Sequence, residues 1–372
     1  MSAVADAVRL SVGVCASVCR HIVLGVSGGL DSSIIAACLA EGDVPFTCLT
    51  LVTKNPLGDE RTYARAIAQA TGAQLLEIEE DVAQVDISRS NAAHLPRPIA
   101  RAFAQSGDRA HQAVADRLGA DAFFSGAGGD NVFCYMRSAS PIADRLLVEG
   151  AGNGVLKTAA EMSMLAECNF WTAITAGISR AWFRRPDYRW PVDTLFLPQQ
   201  VLKCSSSVRT HPWLAVPRGE LPGKAAHVAW LMSIQNHLEG HQHELVHSLY
   251  NPLMAQPVVE ACLRIPTWMW CAGRRNRSVA RAAFADVLPS EIVNRTSKGS
   301  PGSFVVEIFE QNRTRIKAML CEGLLAQQGL LDIETLRQLL DDPRPPGGVT
   351  YSRVMALVDV EAWVRAWDAR VP

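Results

Sequence analysis

"HIVLGVSGGLDSSIIAACLAEG", residues 21–42, decides how the rest of the chain is read. Its first six residues are a short apolar run with β-branched side chains, the pattern of a buried strand. From Asp31 to Gly42 the pattern is that of a helix closed by glycine. Between them stands a loop of one serine, two glycines and an aspartate. Gly28 and Gly29 open backbone conformations closed to other residues and let a ligand approach the main chain. The start of the helix adds free N–H groups, so loop and helix together form an anion-binding nest. Hydroxyls of Ser27, Ser32 and Ser33 supply further donors. The loop has neither the GxxxxGK[ST] of a Walker A sequence nor a dinucleotide GxGxxG.

Working outward, strand and helix patterns alternate. Residues 45–52 read as a second strand, 58–72 as a helix, 73–79 as a third strand, 108–119 as a helix and 121–126 as a fourth strand. A second glycine loop, "GAGGD" (126–130), follows. This alternation implies an α/β fold with a doubly wound parallel sheet. Ligands in such sheets bind at the carboxyl ends of the strands, where the winding switches direction. If the first and fourth strands are neighbours, Asp31 and Asp130 face each other across that crevice. An aspartate within an anion site makes sense once a metal is added. Mg²⁺ prefers one or two carboxylates together with phosphate oxygens and water. ATP with Mg²⁺ therefore fits the two loops.

Beyond residue 140 the patterns are mostly helical, with proline breaks near 186–198, 212–222, 252–257 and 343–346. A final helix is expected over 352–370. The whole chain, 1–372, is read as one unit: a nucleotide-binding α/β core over 1–140 and a mostly helical substrate-binding part over 141–372. The formal net charge is −1, so no global field favours nucleic acid or an anionic membrane. Ten cysteines occur without a CxxC pair, which argues for reduced thiols in a cytoplasmic protein rather than a zinc ribbon. No basic leader opens the chain, and no apolar run approaches the ~18 residues of a membrane span. Seven of the nine tryptophans lie between 171 and 270, and most of these are expected in the core. His237, His241, His243 and His247 come in i,i+4 pairs, but no HExxH arrangement or third ligand accompanies them.

These motifs carry a family resemblance. "VSGGLDSS" resembles the signature of the ATP pyrophosphatases, which cleave ATP between the α- and β-phosphates. "FFSGAGGDNVF" is similar to the second glycine–aspartate loop of the asparagine synthetase branch, and "LPSEIVNRTSKGS" (288–300) to its late segment. The resemblance implies a sheet of the adenine-nucleotide α-hydrolase type. It also implies contacts to ATP and pyrophosphate from Val26, Ser27, Gly28, Gly29, Asp31, Ser32, Ser33, Leu51, Ser125 and Gly126, with Mg²⁺ at Asp31 and Asp130. Lys298 would touch the reacting phosphates. Glu161 stands at the spacing where related amide-forming enzymes place a catalytic glutamate. Four further stretches resemble the lasso-peptide macrolactam synthetases: "HLPRPIARAF" (94–103), "GDNVFCYMRSASPIADRL" (129–146), "NPLMAQPVVEACLRIPTWMW" (251–270) and "RNRSVARAAFADVLP" (275–289).

Two departures stand out. Asparagine synthetases begin with a glutaminase domain, whereas here the synthetase motif is reached by residue 27. Glutamine is therefore not expected as the nitrogen donor. Ala127 stands where amide-forming members often carry glutamate or tyrosine, and alanine cannot relay a proton. The resemblance implies an AMP-forming carbon–nitrogen ligase acting on a leader-cleaved peptide, with a processing protease as partner. An ammonia-dependent asparagine synthetase, a β-lactam-forming enzyme on a small substrate, and a non-catalytic nucleotide-binding scaffold are the alternatives.

Overall fold

The computed structural model describes residues 2–370, except 55–57, 184–193, 205–210, 218, 241–246, 297–301 and 345–349. Its first half alternates as α1 (Ser2–Ala16), β1 (Ile22–Gly25), α2 (Leu30–Ala40), β2 (Phe46–Val52), α3 (Arg61–Thr71), β3 (Gln74–Glu79), α4 (Ala104–Leu118) and β4 (Ala122–Ser125). A short fifth strand, β5 (Ser248–Tyr250), joins from much later in the chain. The sheet order is β3-β2-β1-β4-β5, and every pairing is parallel. The chain winds outward from β1 to β3, then returns through α4 to lay β4 on the other side of β1. This is the doubly wound arrangement, and its switch point lies between β1 and β4.

The strands are buried because both faces are covered. Ile22 and Leu24 of β1 and Phe124 of β4 belong to the core shared with α1 and α2. Val23, Leu49 and Phe123 point the other way, into a cluster with Val114 and Ala115 of α4. The two-residue alternation of a strand thus assigns each side chain to one layer. In α2, ten consecutive residues from Leu30 to Leu39 are buried, which accounts for its small, apolar sequence. The N-terminal helix α1 was not foreseen, although Val4, Val8 and Val12 form its buried stripe at four-residue spacing.

Among the described residues the later part is mostly helical, as expected, with β5 as its strand. The helices Gly302–Glu322, Ile333–Asp341 and Thr350–Asp368 build a second core around Phe304, Phe309, Leu336 and Val358. The tryptophans do not behave as expected. Among the described residues of the 171–270 group only Trp270 is buried, and Trp171 and Trp182 on the helix Phe170–Trp182 are exposed. That helix turns one face to the neighbouring helices and keeps Ala173, Ile174 and Gly177 as its buried residues. Its two tryptophans stay exposed, while Phe170 packs against the buried cluster.

One buried carboxylate ties the C-terminal helices to the α/β core. Asp359 is 3% exposed, accepts the Ala102 N–H at 3.3 Å and leaves Oδ1 without a partner. Burial pushes its pKa up to about 7. A carboxyl raised in the folded state stabilises the fold below its unfolded value near 4, and that contribution is lost as pH rises through about 7. Asp359→Asn stays neutral throughout, so it should raise Tm at pH 8 by about 2–5 °C relative to the parent while changing little at pH 4. An unchanged Tm difference between the two pH values in a melting series would rule this out.

Candidate active site

The first glycine loop is held from three sides. Val26 N–H donates to the Leu49 carbonyl at 2.8 Å, which docks the loop on β2. Arg295 donates to the Ser27 carbonyl at 3.1 Å and to Glu60 Oε1 at 2.6 Å, with its guanidinium 4.0 Å above the Tyr63 ring centre. Gly28 has φ +61°, and a Cβ there would lie 2.1 Å from Tyr63 Cβ. Within the loop, Ser27 N–H and the Ser32 hydroxyl meet at 3.4 Å.

The second loop leaves β4 at Ser125 and packs directly on the first. A Cβ at Gly126 would lie 2.7 Å from Ser32 N, and one at Gly129 only 2.2 Å from Asp31 Cγ. Glycine at these positions is what permits the close approach of the two loops. Ala127 N–H donates to Ser125 Oγ at 3.1 Å. As the sheet order requires, Asp31 and Asp130 converge. They do so on a residue that the sequence reading had not singled out: Arg277 Nη1 lies 3.1 and 3.0 Å from the two oxygens of Asp31 and 2.7 Å from Asp130 Oδ1. Arg277 itself is buried.

Above the loops opens a cavity of about 500 Å³, within the range of small-molecule sites. Val26, Ser27, Gly29, Asp31, Ser32, Leu51, Ser125, Gly126 and Asp130 all line it. Gly28 and Ser33 are not among its lining residues. Gly28 packs against Tyr63, and Ser33 is fully buried with no hydrogen-bond partner for its hydroxyl. Glu161 is also absent from the wall. It is buried in the helix Asn153–Leu165 and accepts the Gly273 N–H at 2.9 Å, anchoring the segment that leads to Arg277. Lys298 lies outside the described residues, as do His241 and His243. Arg295 and Thr296, shortly before Lys298, line the cavity.

The far wall carries titratable groups without a sequence signature. Burial, reinforced by Glu307, pushes Glu80 up to about 7. His111 meets the Gly107 carbonyl through Nδ1 at 2.8 Å, and burial lowers its pKa. Since a carbonyl only accepts, Nδ1 carries the proton of a neutral ring and Nε2 is left as an acceptor. These residues sit in α4 or just beyond β3 and reach the cavity only through the fold.

The donor chemistry fits a nucleotide with a hard dication. Two carboxylates converge on one cationic nitrogen, beside a helix start and two glycine turns whose N–H groups suit phosphate. Among the described residues no cluster of three or more His, Cys, Asp or Glu could hold a metal ion, and no helix is long and apolar enough to cross a membrane. A comparison with curated proteins found no match. The family model for asparagine synthase matches residues 3–367, leaving only the two ends of the chain outside it. That match spans both glycine loops, the parallel sheet and the helical part, and carries with it ATP-dependent amide-bond formation: this chain belongs to the asparagine synthase family.

Proposed function

We propose that this chain closes a macrolactam ring on a peptide, joining an N-terminal amine to an aspartate or glutamate side chain through an acyl-adenylate. One observation carries this reading beyond the family's general chemistry. Three of the four stretches that resemble the lasso-peptide synthetases meet at the cavity. Residues 94–103 contribute Arg101 and Phe103, residues 129–146 contribute Asp130 and Tyr135, and residues 275–289 contribute Asn276, Arg277 and Arg281. The fourth stretch sets Met254 directly against Gly128.

The chemistry follows from the leaving groups. A free carboxylate is a poor acyl donor because oxide would have to depart. Its oxygen attacks the α-phosphorus of ATP, the bond to the β-phosphate breaks, and pyrophosphate leaves. The amine nitrogen then attacks the acyl carbon, the bond to AMP breaks, and the nitrogen gives up its proton to a base other than residue 127, since alanine cannot take it. The start of α2 and the Ser27 and Ser32 hydroxyls hold the phosphates. Arg295 keeps the loop in place through Ser27. Mg²⁺ bound between Asp31 and Asp130 would supply Lewis-acid polarisation of phosphate oxygens. With amine and carboxylate in one peptide, positioning becomes a large catalytic contribution.

The test is mass spectrometry on the purified chain with a leader-cleaved precursor peptide, ATP and Mg²⁺. Loss of one water, dependent on this chain and on a free peptide N-terminus, is the expected result. Conversion of aspartate to asparagine with ammonia, and no peptide product, would give the case to a small-molecule synthetase. Absence of ATP–pyrophosphate exchange would leave a nucleotide-binding scaffold. The reading also calls for a protease that frees the amine.

Lys298 provides a second check. If its ammonium stabilises charge on the departing pyrophosphate, Lys298→Met should lower kcat by ~10²-fold, the scale of losing one such electrostatic contact. A folded Lys298→Met protein with near-normal turnover would remove the lysine from the chemistry.

A further inference from the structure

We propose that Arg277 is the resident counter-ion of the Asp31–Asp130 pair and competes with the divalent cation for it, so that metal binds tightly only together with nucleotide. The inference rests on the ATP-dependent reading of this site. A single guanidinium nitrogen stands within 3.1 Å of three carboxylate oxygens from the two residues. Arg277 is 7% exposed and Asp31 8%. The pair carries two negative charges where water is scarce, and leaving such charges unanswered is costly. Arg277 answers them without nucleotide. The neighbouring Arg281 does not take this place, because its guanidinium is spent on the carbonyls of Asn276 and Val293 and on Asn276 Oδ1.

Mg²⁺ needs oxygens at about 2.0–2.1 Å. A guanidinium nitrogen hydrogen-bonded to the same oxygens blocks that approach and repels a dication. The exchange becomes favourable when phosphate arrives. A guanidinium pairs well with phosphate oxygens, so Arg277 can turn to the nucleotide while the two aspartates turn to the metal. The backbone reinforces its placement. Arg277 holds φ +54°, an uncommon conformation for a residue with a side chain, and its Nε donates to Asn276 Oδ1 at 3.2 Å. Tyr135 lies 5.7 Å from the guanidinium and forms part of the same wall. Coupling of this kind is reciprocal: each ligand raises the affinity for the other by the same factor.

The test uses Mn²⁺ as the probe, the full chain, and electron paramagnetic resonance of free Mn²⁺, with no turnover involved. Without nucleotide, Arg277→Met should bind Mn²⁺ at least tenfold more tightly than the parent. The added substitution Asp130→Asn should abolish the gain. A residue that merely supported the fold would lower Tm without creating metal affinity. In the parent protein, α,β-methylene-ATP should raise Mn²⁺ retention at least tenfold above chelation by the analogue alone. This second measurement stands even if Arg277→Met does not fold. The proposal is overturned if folded Arg277→Met gains no Mn²⁺ affinity, if the gain survives Asp130→Asn, or if the parent binds Mn²⁺ equally well with and without the analogue. Failure of the ligase reading shows separately, as absent pyrophosphate exchange in the parent.

Discussion

Replacing Asp31 or Asp130 with alanine should abolish ATP-dependent pyrophosphate release, while the nucleotide cavity itself persists. The two carboxylates come from different loops and meet because β1 and β4 are neighbours. Each variant removes one of the two carboxylates proposed to hold the dication and leaves Arg277 beside the one that remains. Asp31 is the more deeply buried partner, with a side chain 12% exposed against 27% for Asp130. Breaking a buried pair by deleting one partner is destabilising by about 3–5 kcal/mol, so Asp31→Ala should also melt earlier. Asp130→Ala should keep more of its stability and separate chemistry from folding. Pyrophosphate release near the parent rate in a folded Asp130→Ala protein would exclude this carboxylate from the reaction.

Gly28→Ala should lower kcat/KM for ATP by ~10²-fold or more. The left-handed conformation at residue 28 costs an alanine about 1–2 kcal/mol. The larger penalty is steric, because the new methyl would lie 2.1 Å from Tyr63 Cβ and 2.5 Å from its carbonyl carbon. Neither is the free end of a flexible side chain, so the loop must move. A displacement of about 1 Å in a positioned catalytic loop costs on the order of 10²-fold in rate. Gly72→Ala is the control: it also holds a positive φ, +67°, but has nothing within 4 Å of the added methyl. It should lose stability and keep kinetics. Equal kinetics for the two variants would show that the contact with Tyr63 does not set the loop.

Glu80 and His111 show why most of the cavity wall escaped the sequence. Neither belongs to a motif. Glu80 reaches the cavity because β3 lies beside β2, and His111 because the crossover helix α4 passes behind β1 and β4. Glu161 illustrates the converse. Its spacing after the second loop matches a catalytic position of related enzymes, yet its helix packs it against Gly273 rather than the cavity.

The sequence by itself determined the parts whose causes are local. The apolar run at residues 22–25, the glycine turn and the buried small-residue helix specify strand, loop and helix within twenty residues. The repetition of that unit specifies a parallel sheet, because a strand–helix–strand crossover has one favoured hand. The two glycine–aspartate loops were legible for the same reason: an anion nest is built from consecutive backbone groups. Tertiary structure alone decided the partners of those loops. Arg277 stands 246 positions from Asp31, and Arg295 stands 268 from Ser27. Ser248–Tyr250 is a strand because β4 offers it an open edge, since three residues carry too little periodicity to declare themselves. Charge pairing and edge pairing act through space, whereas hydrophobic period and turn chemistry act along the chain. The nucleotide loops could therefore be read from the residues in order, and the arginine between their aspartates could not.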